Sequence, residues 1–308
     1  MKTLVTGGAG FIGSHVVDRL QAAGHEVKVI DNLSVGRREH IPHGVELWQL
    51  DLGTIAAADL KARLEAYRPD MVFHLAAIHF IPYCIAHPEE SFATNVKATH
   101  TLTQALEGLP VKKLVSASTM DVYPVADKVH AETDAPDPRN IYGLTKLLSE
   151  QIVRCAAYCH DTMSAVSLRL ANVYGPRETN PHVIPDFLKY LEDKKTPEIK
   201  MGYLGASRDF VHVFDVADAF VKSAVTDTGK YEFMNVGTGT PVPLRAMLDL
   251  IKRAAGDGRA VKEDPQKFRK FDRPSLTPAV GKIKAKIGWS AKLTPEQGVA
   301  TLFHEHAA

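Results

Sequence analysis

The chain has 308 residues with 37 basic against 36 acidic side chains, a net charge of +1 and 45% apolar residues. That length suits one large α/β domain with a smaller lobe, and the balanced charge excludes a broad nucleic-acid or membrane surface as its main working face. No apolar run reaches membrane-spanning length, the first residues read as a strand rather than a leader, and three cysteines cannot all pair, so free thiols in a reducing cytoplasm are expected.

Residues 2–6 form a short apolar strand that runs into Gly7-Gly8-Ala9-Gly10-Phe11-Ile12-Gly13, followed by a helical pattern over 14–23. Gly7, Gly10 and Gly13, three apart, supply a tight turn, close backbone approach to a pyrophosphate and tight helix–strand packing. The helix N-terminus adds free N–H groups for phosphate. The next strand, 26–30, ends at Asp31, whose carboxylate can accept both hydroxyls of an adenosine ribose and repels a 2′-phosphate, favouring NAD over NADP. Arg37 and Arg38 follow in a loop and are read as solvated. Asp51-Leu52 ends the third strand, where an adenine edge can be read, and Asp51 could equally be a helix cap.

A helix is predicted over 57–67 and a buried strand over 71–77, whose small Ala76 and Ala77 after Leu75 let a cofactor lie close to the backbone. A long helix over 91–107 carries Asn95. The strand beginning at Lys113 delivers Thr119 to its C-terminal end, the edge at which open parallel sheets bind ligands. The turn 137–140 leads into a helix bearing Tyr142 and Lys146, four apart and therefore on one face. An ammonium beside a phenol favours the phenolate, which points to a tyrosine that takes and returns a proton.

Taken in order, TGGAGFIG at 6–13, Asp31, Asp51, LAA at 75–77, Asn95, Thr119, YGLTK at 142–146, NVYGP at 172–176, RDFVHVFDVADA at 208–219 and NVGTG at 235–239 resemble the extended short-chain dehydrogenase/reductase family, in its NAD-dependent nucleotide-sugar epimerase and dehydratase branch. The resemblance covers nearly the whole chain. It implies a doubly wound parallel Rossmann sheet over 1–175 and a smaller α/β substrate lobe over 176–308, with segments around 208–240 returning to the Rossmann half. It implies NAD held by Gly7, Gly10, Phe11, Ile12, Asp31, Asn32, Asp51, Leu52, Leu75, Ala76, Ala77, Asn95, Tyr142 and Lys146. Tyr142 would remove the proton of a sugar hydroxyl, supported by Lys146 and Thr119, to reach a transient 4-keto sugar. Such an intermediate leads to epimerisation, loss of water or loss of carbon dioxide. A cytoplasmic homodimer built from the helices carrying Ser91 and Tyr142 is also implied, with a nucleotide-diphosphate sugar as the substrate and neither nucleic acid nor membrane as a partner.

Two departures from the family pattern bear on the outcome. Dehydratases and decarboxylases of the family often show Thr-x-Glu where this chain has Thr119-Met120-Asp121, so Asp121 is either a short C5 base or a structural carboxylate. Met120 cannot donate the proton that an acid there would give. Many relatives carry an aspartate at the position of Leu276, three after Arg273, which leaves the nucleotide base open. Epimerisation needs no C5 base, and a 4-epimerase is the leading expectation. A dehydratase using Asp121 is the alternative; a uronic-acid decarboxylase and a non-catalytic dinucleotide sensor rank below it. Met201-Gly202-Tyr203-Leu204-Gly205 favours the dehydratase, being similar to a Gly-Asn-Leu stretch in those enzymes.

Substrate contacts are expected from Thr119, His79, Asn172, and the guanidinium groups of Arg208 and Arg273, whose fork of donors matches a diphosphate. Cys84 lacks an evident activating partner. No metal site is expected, since His304-Glu305-His306 lacks the helical ligand spacing. The charged stretch 262–270 reads as a solvated loop over the site, 244–255 is amphipathic, and 282–288 followed by Trp289 closes the lobe.

Overall fold

The protein is described by a computed structural model over residues 1–193, 195–268 and 273–303; His304-Glu305-His306 lies outside the described residues. Seven strands make one sheet: β1 (Lys2–Thr6), β2 (Glu26–Asp31), β3 (Glu46–Gln49), β4 (Met71–His74), β5 (Lys113–Thr119), β6 (Ser164–Leu170) and β7 (Tyr231–Val236). Their spatial order is β7-β6-β5-β4-β1-β2-β3, with every pairing parallel. The order reverses between β1 and β4, and ligands of such sheets bind in the crevice at that point. Four of the five β1 residues are buried in an unbroken run, the pattern of a strand covered on both faces.

Helices cover both faces. On one side α1 (Phe11–Ala22) packs with a later helix, Val213–Val225, against a core that includes Val16, Leu20, Val29, Phe73, Leu168 and Phe220. On the other, α2 (Ala57–Tyr67), α3 (88–106) and α4 (Ile141–Cys159) enclose Leu60, Leu64, Val72, Leu102, Leu114 and Val153. The long helix expected over 91–107 begins at Pro88 and is not uniform: α3 runs over 88–106 as α-helix Pro88–Phe92, π-helix Ala93–Lys97 and α-helix Ala98–Leu106. Such a π segment is a local insertion that re-aims one residue, here Asn95. Its amide accepts from Ile78 N at 2.8 Å and donates to Ile78 O and to Thr145 Oγ1, both at 2.9 Å. The bulge therefore pins the loop after β4 to the helix that carries Tyr142.

A smaller core, with Ile184, Phe187, Ile199, Met247 and Ile251, lies beside the sheet's C-terminal edge. Helix α5 (Val183–Glu192) and the amphipathic helix Leu244–Ala254 supply much of it. A four-stranded sheet accompanies it, in the order Val242–Pro243, Ser207–Arg208, Ser275–Pro278, Val129–His130. Over the start of the stretch 262–270 read as a solvated loop, strand Ala260–Glu263 instead pairs in parallel with Glu198–Met201, and Pro265–Lys267 is a 3-10 turn; 269–270 lie outside the described residues. The three cysteines are free, Cys84 buried and Cys155 and Cys159 exposed. Among the described residues no helix is long and apolar enough to cross a membrane.

Candidate active site

A cleft of about 1920 Å³ runs along the C-terminal edge of the sheet, between it and the smaller core. At its floor lies the turn from β1 into α1. Gly7 N donates to Ile30 O at 2.7 Å, and Gly10 N returns to Gly7 O at 3.1 Å. No side chain caps α1 and no acidic residue sits in its first turn, so its leading N–H groups are available to an anion. A Cβ at Gly10 would meet only Gly7 O, at 3.2 Å, so any side chain there would stand in the cleft itself. The empty space in front of the helix is the space a pyrophosphate needs.

Asp31, at the end of β2, is 8% exposed. One oxygen accepts Ala9 N at 3.0 Å and the other Leu33 N at 2.8 Å. Burial raises its pKa, and these two backbone bonds oppose the rise. The carboxylate thus braces the glycine turn and keeps lone pairs for a ribose. Asp51 accepts Gly53 N at 2.7 Å and Asn32 Nδ2 at 3.1 Å. It closes a local turn, since α2 begins only at Ala57 after Ala56 as N-cap. Asp51, Leu52, Asn32, Leu75, Ala76 and Ala77 all line the same cleft. Asn95 is 1% exposed, and its amide is committed to the Ile78 and Thr145 contacts described above. A helix N-terminus without a cap, an open glycine floor and a ribose-acceptor carboxylate together fit a dinucleotide.

Asn140 caps α4 by accepting Gly143 N at 2.8 Å, which starts the helix one residue before Tyr142. Tyr142 and Lys146 line the cleft from this helix, and Thr119 meets them from the end of β5, hydrogen-bonded to the Tyr142 phenol. The expected depression of the phenol's pKa by Lys146 is not found. Burial raises it, the charge of Asp121 pushes the same way, and the bond from Thr119 only partly opposes them. The physical reason is desolvation, which disfavours a phenolate enclosed by protein. The same burial pushes the Lys146 amine down to about 8, against the charge of Glu150 one turn on. Glu150 was not singled out in the sequence, although its spacing from Lys146 was visible. Its carboxylate holds Arg169 in a fork, Nε to Oε1 at 2.8 Å and Nη2 to Oε2 at 2.7 Å. Arg169 continues through Tyr123 to Asn235, at 2.9 Å each.

Asp121 also lines the cleft, and one oxygen of its carboxylate is engaged. Arg273 Nε lies 3.4 Å from Oδ1, and Asn140 Nδ2 donates to the same oxygen at 3.4 Å. Arg273 is 7% exposed and gives its other donors to the carbonyls of Asp121, Tyr123 and Pro124. Its guanidinium is thus directed at the turn beneath Thr119. The two departures from the family pattern prove to be one feature. Met120 and Leu276 are both buried and share a small apolar cluster with Val122 and Tyr123. Neither position offers a side chain to solvent or to the cleft floor; each fills core behind it.

Arg208 lines the cleft, and its Nη1 donates to Ser207 O at 2.9 Å and Arg273 O at 2.7 Å. Asn172, exposed in the short strand Asn172–Tyr174, lines it too. Cys84 is fully buried, its thiol pushed up by burial, which removes it from consideration as a nucleophile. His79 is pushed down to about 4 by burial, with neighbouring His182 adding to it. His182 and Glu178, which sequence reasoning passed over, face His79 across the cleft wall; an i, i+4 pair in an irregular segment gave no signal of a partner a hundred residues upstream.

A family model for the NAD dependent epimerase/dehydratase family matches residues 3–237. The chain is 32% identical over 315 residues to the UDP-glucose 4-epimerase of Azospirillum brasilense, covering 94% of this chain and 87% of that protein. The crystal structure of UDP-glucose 4-epimerase with UDP-glucose from Thermotoga maritima is similar at a TM-score of 0.91 and 30% identity, over 100% of both chains. The UDP-glucose 4-epimerase of Thermus thermophilus in complex with NAD gives a TM-score of 0.87 at 32% identity, over 98% of this chain and 97% of that one.

Proposed function

The chain belongs to the NAD-dependent epimerase/dehydratase family and is an NAD-dependent nucleotide-sugar enzyme; from that premise we propose that it is a 4-epimerase of a UDP-hexose of the UDP-glucose class, working through a transient 4-keto sugar. The relatives support the substrate class. The single observation that favours epimerisation over loss of water is the state of Asp121. A dehydratase needs a free base at C5, whereas one oxygen of this carboxylate, Oδ1, lies 3.4 Å from both Arg273 Nε and Asn140 Nδ2.

In this reading Gly7, Gly10, Phe11 and Ile12 hold the pyrophosphate, Asp31 and Asn32 the adenosine ribose, Asp51 and Leu52 the adenine, and Leu75, Ala76 and Ala77 border the path to the reacting end. Bound NAD supplies reversible hydride acceptance, and in its oxidised form a positive charge. The chain's own residues handle the proton. Tyr142 takes it from the sugar O4 as the ketone forms and returns it to O4 after the ring has turned. Thr119, bonded to the phenol, keeps it aimed. Lys146, charged, offsets the developing phenolate that burial alone disfavours. Arg208 and Asn172 are proposed to face the diphosphate and sugar, with Arg273 acting from behind by fixing the Asp121 turn.

Incubation with a panel of nucleotide sugars, read by mass spectrometry and chromatography, tests this. A new peak of unchanged mass supports epimerisation; loss of one water sinks it. The second reading, a dehydratase, rests on Asp121 lining the cleft close enough for its charge to act on Tyr142. Asp121→Asn separates the two: mild in an epimerase, severe in a dehydratase. A homodimer is also proposed. Leu144 and Leu148 are 36% and 37% exposed, and they share a helical face with exposed Cys155 and Cys159. Light scattering should give twice the chain mass, and a monomer would refute it.

A further inference from the structure

We propose that His79, Glu178 and His182 form a binding site for one divalent cation of the zinc class, in the wall of the cleft. One ligand atom from each of the three lies within 4.8 Å of the others. Zinc held at about 2.0–2.2 Å by three tetrahedral ligands places those ligands about 3.5 Å apart, so closure needs side-chain movement of roughly 1 Å. Part of the arrangement is already that tight: His182 Nδ1 is 3.3 Å from Glu178 Oε2.

The donor chemistry selects the ion. Two imidazoles and one carboxylate, with a coordination position left for a small ligand, suit zinc and its first-row neighbours; calcium and magnesium prefer oxygens alone. Asn180 Nδ2 lies a long 3.3 Å from His79 Nε2, a contact that is easily exchanged. Glu178 is the strongest argument. Its side chain is 5% exposed, and buried carboxylates are normally paired with a cation or bound to a metal. Its hydrogen-bond partners are the His182 imidazole at Oε2 and the Asn180 N–H, which reaches Oε1 at 3.0 Å, with His79 within 4.8 Å. The two halves of the site come from different parts of the fold. His79 lies in the loop after β4, whereas Glu178 and His182 lead into α5, with His182 as its N-cap. A cation there ties these segments together. Because all three residues line the cleft that contains Tyr142 and Lys146, its open position would take a hydroxyl or carboxylate oxygen of the occupant.

The test uses the full-length protein, stripped with a chelator and titrated with zinc chloride by calorimetry, with cobalt(II) absorption as a second probe. The expected result is one equivalent per chain. Glu178→Gln, His79→Ala and His182→Ala should each weaken it by more than the roughly 10–100-fold typical of an outer partner's loss. Saturating zinc should raise the melting temperature of the parent and leave that of the variants unmoved. His182→Ala, at a partly exposed side chain, keeps the test usable if Glu178→Gln does not fold. Exposed His100→Ala should leave binding unchanged. No binding at millimolar zinc, binding that survives the Glu178 and His182 changes, or binding lost in Cys155→Ser/Cys159→Ser would each overturn the proposal.

Discussion

Replacing Glu150 by Gln probes the network behind the catalytic helix. Glu150 and Arg169 are 2% and 3% exposed, and their fork has two contacts at 2.8 and 2.7 Å. The substitution keeps the shape and one acceptor oxygen but removes the charge, leaving the buried Arg169 guanidinium with Tyr123 and an amide oxygen and no anionic partner among the described residues. Breaking a buried pair from one side costs about 3–5 kcal/mol. At roughly 2.1 cal/mol/K per residue, a chain of this length has an unfolding entropy of about 0.65 kcal/mol/K, so the melting temperature should fall by about 5–8 °C. Calorimetry at pH 7 reads this directly. Glu150→Leu combined with Arg169→Met should recover part of the loss, because an apolar pair leaves no buried charge. The substitution has a second, independent consequence. The charge of Glu150 holds the Lys146 amine up against burial. Without it the amine loses its proton at lower pH, and the alkaline limb of the activity profile, expected near pH 8 in the parent, should move down. A melting temperature within about 1 °C of the parent, or strictly additive single and double substitutions, would refute the coupling argument.

Tyr142→Phe should lower kcat by about 10²–10⁴-fold while NAD remains bound, as read by absorbance of the purified protein; Thr119→Val, which removes one hydrogen bond to the phenol, should cost about 10-fold. At Gly143 an added Cβ would lie 2.3 Å from the Asp121 backbone oxygen, so Gly143→Ala must push α4 from the Thr119–Asp121 turn. It should destabilise by about 1–3 kcal/mol and lower kcat more than it raises KM, which steady-state kinetics with urea titration will show. Lys146→Met should abolish turnover yet stabilise the fold below pH 8. The amine titrates at about 8 folded against 10.5 ordinarily, so its charged form opposes folding by about 3 kcal/mol. That penalty is relieved as pH rises from 8 to 10.5, where the unfolded chain binds more protons, and the difference between variant and parent should vanish above that window.

Much of this architecture was legible residue by residue. The strands over 2–6 and 26–30 and the one beginning at Lys113, the glycine turn and the spacing of Tyr142 and Lys146 are local patterns. Their physics is that of one turn or one pleat: apolar periodicity, glycine where a side chain would block a phosphate, and two residues on one helical face. Where sequence reading fell short, the deciding contact came from far along the chain. The π segment at Asn95 is set by Ile78 and Thr145, 17 and 50 residues away. The engagement of Asp121 depends on Arg273. The grouping of His79 with Glu178 and His182 depends on two loops meeting at the cleft wall. The titration of Tyr142 turned on how much protein surrounds it. The sequence by itself determined the Rossmann order of elements and the family, because those rest on short-range periodicity and ordered motifs. Only the tertiary structure decided which carboxylates are held, which side chains are desolvated and which distant ligands converge, because these are properties of the space between segments.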